Sequence, residues 1–119
     1  MAIEQLVKQA FMAPLSERLL RDAATDFEMS VDALLVLFAK DVAERYLAGA
    51  YSWDFGDVVM NNLYSCAYAH SNLCLPEFAW QVFEAFDEGE YIHLAKSDDR
   101  DGEPRTRALL TDLLRQTTA

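Results

Sequence analysis

The amino-acid sequence predicts an all-α fold, a compact bundle of about five or six helices forming one domain over residues 1–119. Three observations carry this expectation. Only four glycines and three prolines occur, and they fall near the points where helical patterns begin or end. Apolar residues cluster on one arc of successive segments when these are wound as helices. No alternating run marks a strand pair, and no repeat of solenoid length appears. With 52% apolar residues in 119, the chain has enough material for one ordinary core.

Each element follows from local chemistry. Ile3–Met12 reads as a short amphipathic helix stopped before Pro14. Ser16 can cap a second helix running to about Phe27, and Ser30 a third over Val31–Ala48 that Gly49 ends. The first half of this third segment is apolar nearly all round, which marks it as the central buried helix. A fourth helix runs from about Trp53 to His70. A fifth has Pro76 in its first turn and Gly89 at its end. Glu90–Leu94 fits a short extended piece or a helical turn equally. SDDRDGEP, residues 97–104, has turn chemistry, and Arg105–Gln116 reads as a final amphipathic helix.

Charge narrows the function classes. Twenty acids oppose ten Lys and Arg, a net of −10. Residues 1–50 carry −3, residues 51–103 carry −9, and residues 104–119 carry +2. A negative field of this kind repels phosphate backbones and anionic lipid and attracts basic surfaces. The expectation is therefore a basic protein partner, with neither nucleic acid nor membrane. No apolar run approaches the roughly 20 residues that span a bilayer. MAIEQLVKQAF has no basic flank ahead of an apolar stretch, and two cysteines are too few for a disulfide framework. A reducing cytoplasm is the expected setting.

Several motifs invite a chemical reading. AATDFEMSVDALL, residues 23–35, has the outline of a helix-turn-helix, but Glu28 stands where the turn usually has glycine. Its would-be recognition helix offers no Arg, Lys, Asn or Gln to base edges, so a plain helical corner is expected. The loop from Ser97 places Asp99, Asp101 and Gly102 like a calcium loop. Ser97 at the first ligand position and Ala108 at the closing one lack the needed carboxylates. Cys66, His70 and Cys74 are spaced by four, with His93 further on, a ligand set whose types suit zinc. The spacing does not, because Ser71-Asn72 and Pro76 should end the helix before Cys74, and no Cys-x-x-Cys pair exists. Glu90 and His93 make a single Glu-x-x-His, where a di-iron bundle needs two. No glycine-rich phosphate loop, nucleophile elbow or His-Glu-x-x-His occurs. Neither a metal nor another cofactor is expected, and no catalytic residue.

The most informative stretch is PEFAWQVFEAFDEGEY, residues 76–91. On a wheel of about 100° per residue, Phe78, Ala79, Val82, Phe83 and Phe86 gather on the core side, with Glu77, Gln81, Glu84, Asp87 and Glu88 opposite. Trp80 falls toward the carboxylates, with Glu77 three before it, Glu84 four after and Asp87 seven after as its direct surface neighbours. In the fourth helix Phe55, Val58, Val59, Leu63, Cys66 and Ala67 face inward, while Asp54, Asp57, Asn61, Tyr64 and Tyr68 form the outer stripe. Aromatics set among acids have the composition of a binding hot spot whose charge steers a basic partner. The bland counterpart is that these rings sit at the core edge under a neighbouring element.

LPEFAWQVFEAFDEGEY, within residues 52–93, resembles the C-terminal half of small acidic helical immunity proteins encoded beside bacterial polymorphic or contact-dependent toxins. The Asp-Leu-Ile-Tyr-Tyr-Pro run of the DNase-colicin immunity proteins is absent. The resemblance implies a stoichiometric inhibitor, without chemistry of its own, that binds one cognate toxin, often a basic nuclease, over or beside its active site. It points to Asp54, Asp57, Tyr64, Tyr68, Glu77, Trp80, Glu84 and Asp87 as the contacting residues. Two rivals stand beside it: a non-enzymatic adaptor or homodimer that buries the same aromatics against itself, and a metal- or thiol-dependent enzyme built on Cys66, His70, Cys74 and His93. The inhibitor itself is expected as a monomer or a homodimer.

Overall fold

Ser16, Ser30 and Ser52 each stand one residue ahead of a helix, and each hydroxyl accepts a hydrogen bond from a first-turn N–H. The donors are Leu19 at 3.1 Å, Ala33 at 3.1 Å and Phe55 at 3.0 Å. These caps satisfy backbone groups that a helix start otherwise leaves without partners. The computed structural model describes residues 2–69, 73–95 and 103–118, with side chains for 2–68, 73–89 and 103–116. Within these the chain forms α1 (Ile3–Met12), α2 (Glu17–Asp26), α3 (Val31–Leu47), α4 (Trp53–Ala69), α5 (Glu77–Ala95) and α6 (Glu103–Thr118). No strand occurs among the described residues, so the fold is an all-α bundle. None of the described helices is long and apolar enough to cross a membrane.

The ends of α2 and α3 use one device with different residues. At α3 the Gly49 N–H donates to Tyr46 O and the Ala50 N–H to Arg45 O, with Gly49 at a φ of +84°. At α2 the Glu28 N–H donates to Thr25 O and the Met29 N–H to Ala24 O, with Glu28 at a φ of +57°. Both are Schellman closures, which place the residue after the cap in left-handed backbone. Glycine adopts it without strain, whereas a side chain crowds the neighbouring carbonyl. The helical corner between α2 and α3 thus forms although its turn lacks glycine.

α3 is the central helix, as its apolar circumference implies. It packs against all five of the others. Leu34, Leu35, Phe38, Ala39, Val42, Ala43 and Tyr46 are buried along it. The face that would have to read DNA in a helix-turn-helix is therefore part of the core. α4 lies on α1 and α5, and α5 is held between α4 and α6.

Two glycines sit inside helices. Gly89, expected to end the fifth helix, is buried within α5, which continues to Ala95. A glycine ends a helix only where the chain turns left-handed, and packing of α5 against α3, α4 and α6 outweighs its cost of about 1 kcal/mol. The stretch Glu90–Leu94 is accordingly helical. Gly56 is buried in the first turns of α4, against the end of the Phe86 ring. A Cβ there would lie 2.5 Å from Phe86 Cζ. Phe86 is fully buried, with Tyr46 edge-on at 5.3 Å and Trp53 at 6.5 Å. Val58, expected inside, is 38% exposed, because the core side of α4 is centred on Val59, Met60, Leu63 and Cys66.

Polar groups join the helices at a few points. The Trp53 indole N–H donates to Thr106 Oγ1 at 3.0 Å, and that hydroxyl donates to Ala85 O at 2.9 Å, linking α4, α6 and α5. The Tyr46 hydroxyl donates to Glu103 at 3.1 Å, and the Asn62 amide donates to Ala10 O at 2.6 Å. α6 begins two residues before the expected Arg105, with Pro104 in its first turn, where a missing N–H costs nothing.

Opposite outcomes follow for two substitutions. Glu28→Gly relieves left-handed strain and raises unfolding stability by about 0.5–1 kcal/mol. Gly56→Ala gains up to about 1 kcal/mol of helix propensity but overfills a site whose ring has no room to retreat, a cost of about 1–3 kcal/mol, so it lowers stability. Urea denaturation of the two variants beside the parent checks both signs.

Candidate functional site

The pairing of α4 with α5 decides which expected residues meet. The two helices run antiparallel, with Gly56 against Phe86 at one end and Tyr68 against Trp80 at the other. Tyr64 stacks on Phe83 with centroids 4.4 Å apart and ring planes 6° from parallel. Trp80 lies 5.9 Å from Tyr64, 6.0 Å from Tyr68 and 5.5 Å from Phe83. Tyr64 and Tyr68, one turn apart, are 5.0 Å from each other. Four rings therefore form one cluster across the α4–α5 seam.

Trp80 is not the outermost member. Its indole is half-buried and packs against the core, whereas Tyr64 is 36% and Tyr68 47% exposed. An isolated wheel puts Trp80 on the carboxylate side of α5 because it omits α4, whose tyrosines cover that flank. Phe83, assigned only to the core, is the floor of the cluster. Its place three residues after Trp80 was the available signal. The Tyr68 hydroxyl also accepts from the Leu75 N–H at 3.2 Å, which ties the approach to α5 back onto α4.

The eight expected contact residues divide into two groups. Glu77 and Glu84, both exposed, stand one turn before and one turn after Trp80, so Tyr64, Tyr68, Glu77, Trp80 and Glu84 form one patch. Asp54 and Asp57 lie about 10–15 Å from Tyr64 along the axis of α4. They share their end of the helix pair with Asp87. Asp54 and Asp87 are exposed and Asp57 is half-buried. On the other side of α5, a groove of about 300 Å³ runs between α5 and α6, with Glu84, Glu88 and Asp112 over a floor of Leu109 and Leu113. Sequence reasoning missed this groove, which exists only where α6 docks.

Most carboxylates on this surface lack the pairing that several acids of α1 to α3 have. α1 to α3 pair Lys8 with Glu4 at 2.9 Å, Arg21 with Glu17 at 2.7 Å and Arg45 with Asp41 at 2.7 Å. Residues 53–95 contain no Lys or Arg at all. Glu88 is reached from α6 by Arg105 at 3.0 Å. Among the described residues, Asp54, Glu77, Glu84 and Asp87 have no basic partner.

Of the thiol and metal candidates, only the two cysteines have described side chains, and they do not share a helix. α4 ends at Ala69 and α5 begins at Glu77, so no continuous helix aligns Cys66 with Cys74. Cys66 is buried and Cys74 exposed. The side chains of His70, Glu90 and His93, and the Ser97–Gly102 loop weighed for calcium, lie outside the described residues. No group of three metal-ligating side chains forms among the described ones. Burial, followed by the negative charge of Glu17, pushes the Cys66 thiol above its ordinary range. A raised thiol pKa leaves less thiolate at any given pH and so less reactivity. Ellman's reagent at pH 8 is expected to modify one thiol rapidly, at Cys74, and the second only when the chain is unfolded. Peptide mapping of the modified cysteine checks the assignment. Comparison with protein-family models, curated protein sequences and solved structures finds no significant match for this chain.

Proposed function

We propose that the protein is a stoichiometric inhibitor of the immunity type, which binds a basic protein through the outer surface of α4 and α5 and has no chemistry of its own. The observation that carries this reading is the coincidence of an exposed ring cluster with carboxylates that have no basic partner among the described residues. Tyr64, Tyr68 and Trp80 supply contact area whose rings are already held in place, so little ordering entropy is lost on docking. Glu77, Glu84 and Asp87 supply a field that accelerates encounter with a cationic surface and disfavours acidic competitors. The resemblance of residues 52–93 to toxin-immunity proteins adds a cognate toxin, such as a basic nuclease, as the class of partner.

A second reading has its own support. Phe11 is 42% and Met12 79% exposed, and Phe11 stacks on Phe55 at 4.9 Å, beside an open groove of about 690 Å³ floored by Leu15 and Leu19. Together with the exposed Val58, this apolar surface at the α1–α2 corner favours an adaptor or homodimer. Sedimentation at rising protein concentration and rising salt separates the two readings. Self-association through apolar area persists in salt, whereas a charge-steered complex weakens as screening shortens the Debye length.

A basic partner isolated on the immobilised protein provides the direct test. Trp80→Ala combined with Glu84→Lys is expected to weaken its binding by a factor of about 100 or more, the loss of one aromatic anchor and one reversed charge. Calorimetry measures the affinity, and circular dichroism verifies the helical fold. Glu84→Lys alone, at an exposed position, controls for the packing lost with the indole. Undiminished affinity in a folded double variant overturns the surface assignment.

A further inference from the structure

Twice among the described residues a tyrosine beside a carboxylate is completed by an arginine. The Tyr46 hydroxyl donates to Glu103 at 3.1 Å, and the Arg107 guanidinium carbon lies 4.8 Å from the centre of the Tyr46 ring. The Tyr51 hydroxyl donates to Asp41 at 2.9 Å, with Arg45 paired to Asp41 at 2.7 Å and 6.0 Å from the centre of the Tyr51 ring. The Tyr64–Tyr68 patch repeats the composition without the cation. Its tyrosines are the most exposed rings of the cluster, the exposed Glu77 and Glu84 stand one helical turn before and after the adjoining Trp80, and no Arg or Lys among the described residues contacts either tyrosine.

We propose that the exposed surface of Tyr64 and Tyr68, with Glu84 and Glu77 at its border, is a seat for an arginine guanidinium supplied by the basic partner. This rests on the inhibitor reading and specifies its anchor. A guanidinium is planar and weakly hydrated, so it stacks on a ring while its N–H fork turns to a carboxylate. A lysine ammonium holds its water more strongly and presents no plane, and it fits the same place less well. The seat is preorganised, because Phe83 fixes Tyr64 from below and the Leu75 N–H fixes the Tyr68 hydroxyl.

The test uses the full isotope-labelled chain and three short peptides, acetyl-Gly-Ser-X-Ser-Gly-amide, with X arginine, lysine or citrulline. The arginine peptide is expected to shift the Trp80 indole and the Tyr64 and Tyr68 ring resonances. The Trp53 indole, bonded to Thr106 far along α4, stays in place. The lysine and citrulline peptides bind at least about fivefold more weakly, within the range of one guanidinium–ring contact. Tyr64→Phe keeps the arginine preference because the ring remains, and Tyr64→Leu abolishes it. Glu84→Gln, which leaves the core untouched, weakens the arginine peptide about twofold to threefold. Equal binding of arginine and lysine peptides, a preference that survives Tyr64→Leu, or shifts centred on Trp53 overturn the proposal. The two readings fail separately. A captured basic protein whose contacting arginines are replaced by lysines without loss sinks the guanidinium seat alone. Arginine-selective binding with no basic protein partner sinks the inhibitor reading alone.

Discussion

The seating of Phe86 on Gly56 is the constraint from which the rest of the α4–α5 surface follows. A phenylalanine ring occupies space that any side chain at position 56 would claim, so α4 and α5 approach with their axes set by that contact. Tyr46 closes the ring from α3 and Trp53 from the first turn of α4. Trp53 then donates to Thr106, whose hydroxyl continues to the backbone of α5. One buried aromatic thereby aligns α3, α4 and α5, and a short polar relay brings α6 into the same arrangement. The antiparallel register it imposes delivers Tyr64 onto Phe83 and Tyr68 onto Trp80.

That register separates two uses of aromatic residues within one pair of helices. Toward the core, Phe86 and Phe83 contribute buried apolar area, each side chain worth about 1.5–3 kcal/mol when fully withdrawn from water. Toward solvent, Tyr64 and Tyr68 remain accessible because each carries a hydroxyl that tolerates water, while the ring rests on its neighbours. Trp80 stands between these roles, supporting the tyrosines more than leading them. The acids follow a parallel division. In α1 to α3 Glu4, Glu17 and Asp41 are paired with bases one helical turn away, a local pairing worth about 0.2–0.5 kcal/mol each. On α4 and α5 no Lys or Arg is available within the helices, and the charge of Asp54, Glu77, Glu84 and Asp87, without a basic partner among the described residues, is a standing cost to the folded chain.

The helices were legible because their signals are local. Ser16 and Ser30 cap through bonds to residues three ahead, and Gly49 takes the left-handed position after α3. The apolar circumference of Val31–Leu47 marked the central helix. Gly89 misled for the same reason: its meaning as a terminator depends on a backbone angle that packing, not residue type, selects. Val58 misled because the centre of a buried arc shifts with the neighbours that cover it. On the surface, the acids at 77, 84 and 87 and the tyrosines at 64 and 68 were legible as outward residues. Their division into an aromatic patch and a separate acidic end, about 10–15 Å apart along α4, was not.

The sequence by itself determined the all-α class, the order and caps of the helices, and the concentration of negative charge in the middle of the chain. These depend on residue type and short spacing, which act within one or two turns. Only the tertiary structure decided that Trp80 is half-covered, that Phe83 belongs beneath Tyr64, and that Glu84 borders both the ring cluster and the α5–α6 groove. Such facts arise from contacts between helices, and the exposure of a side chain on one helix is set by whichever other helix lies against it.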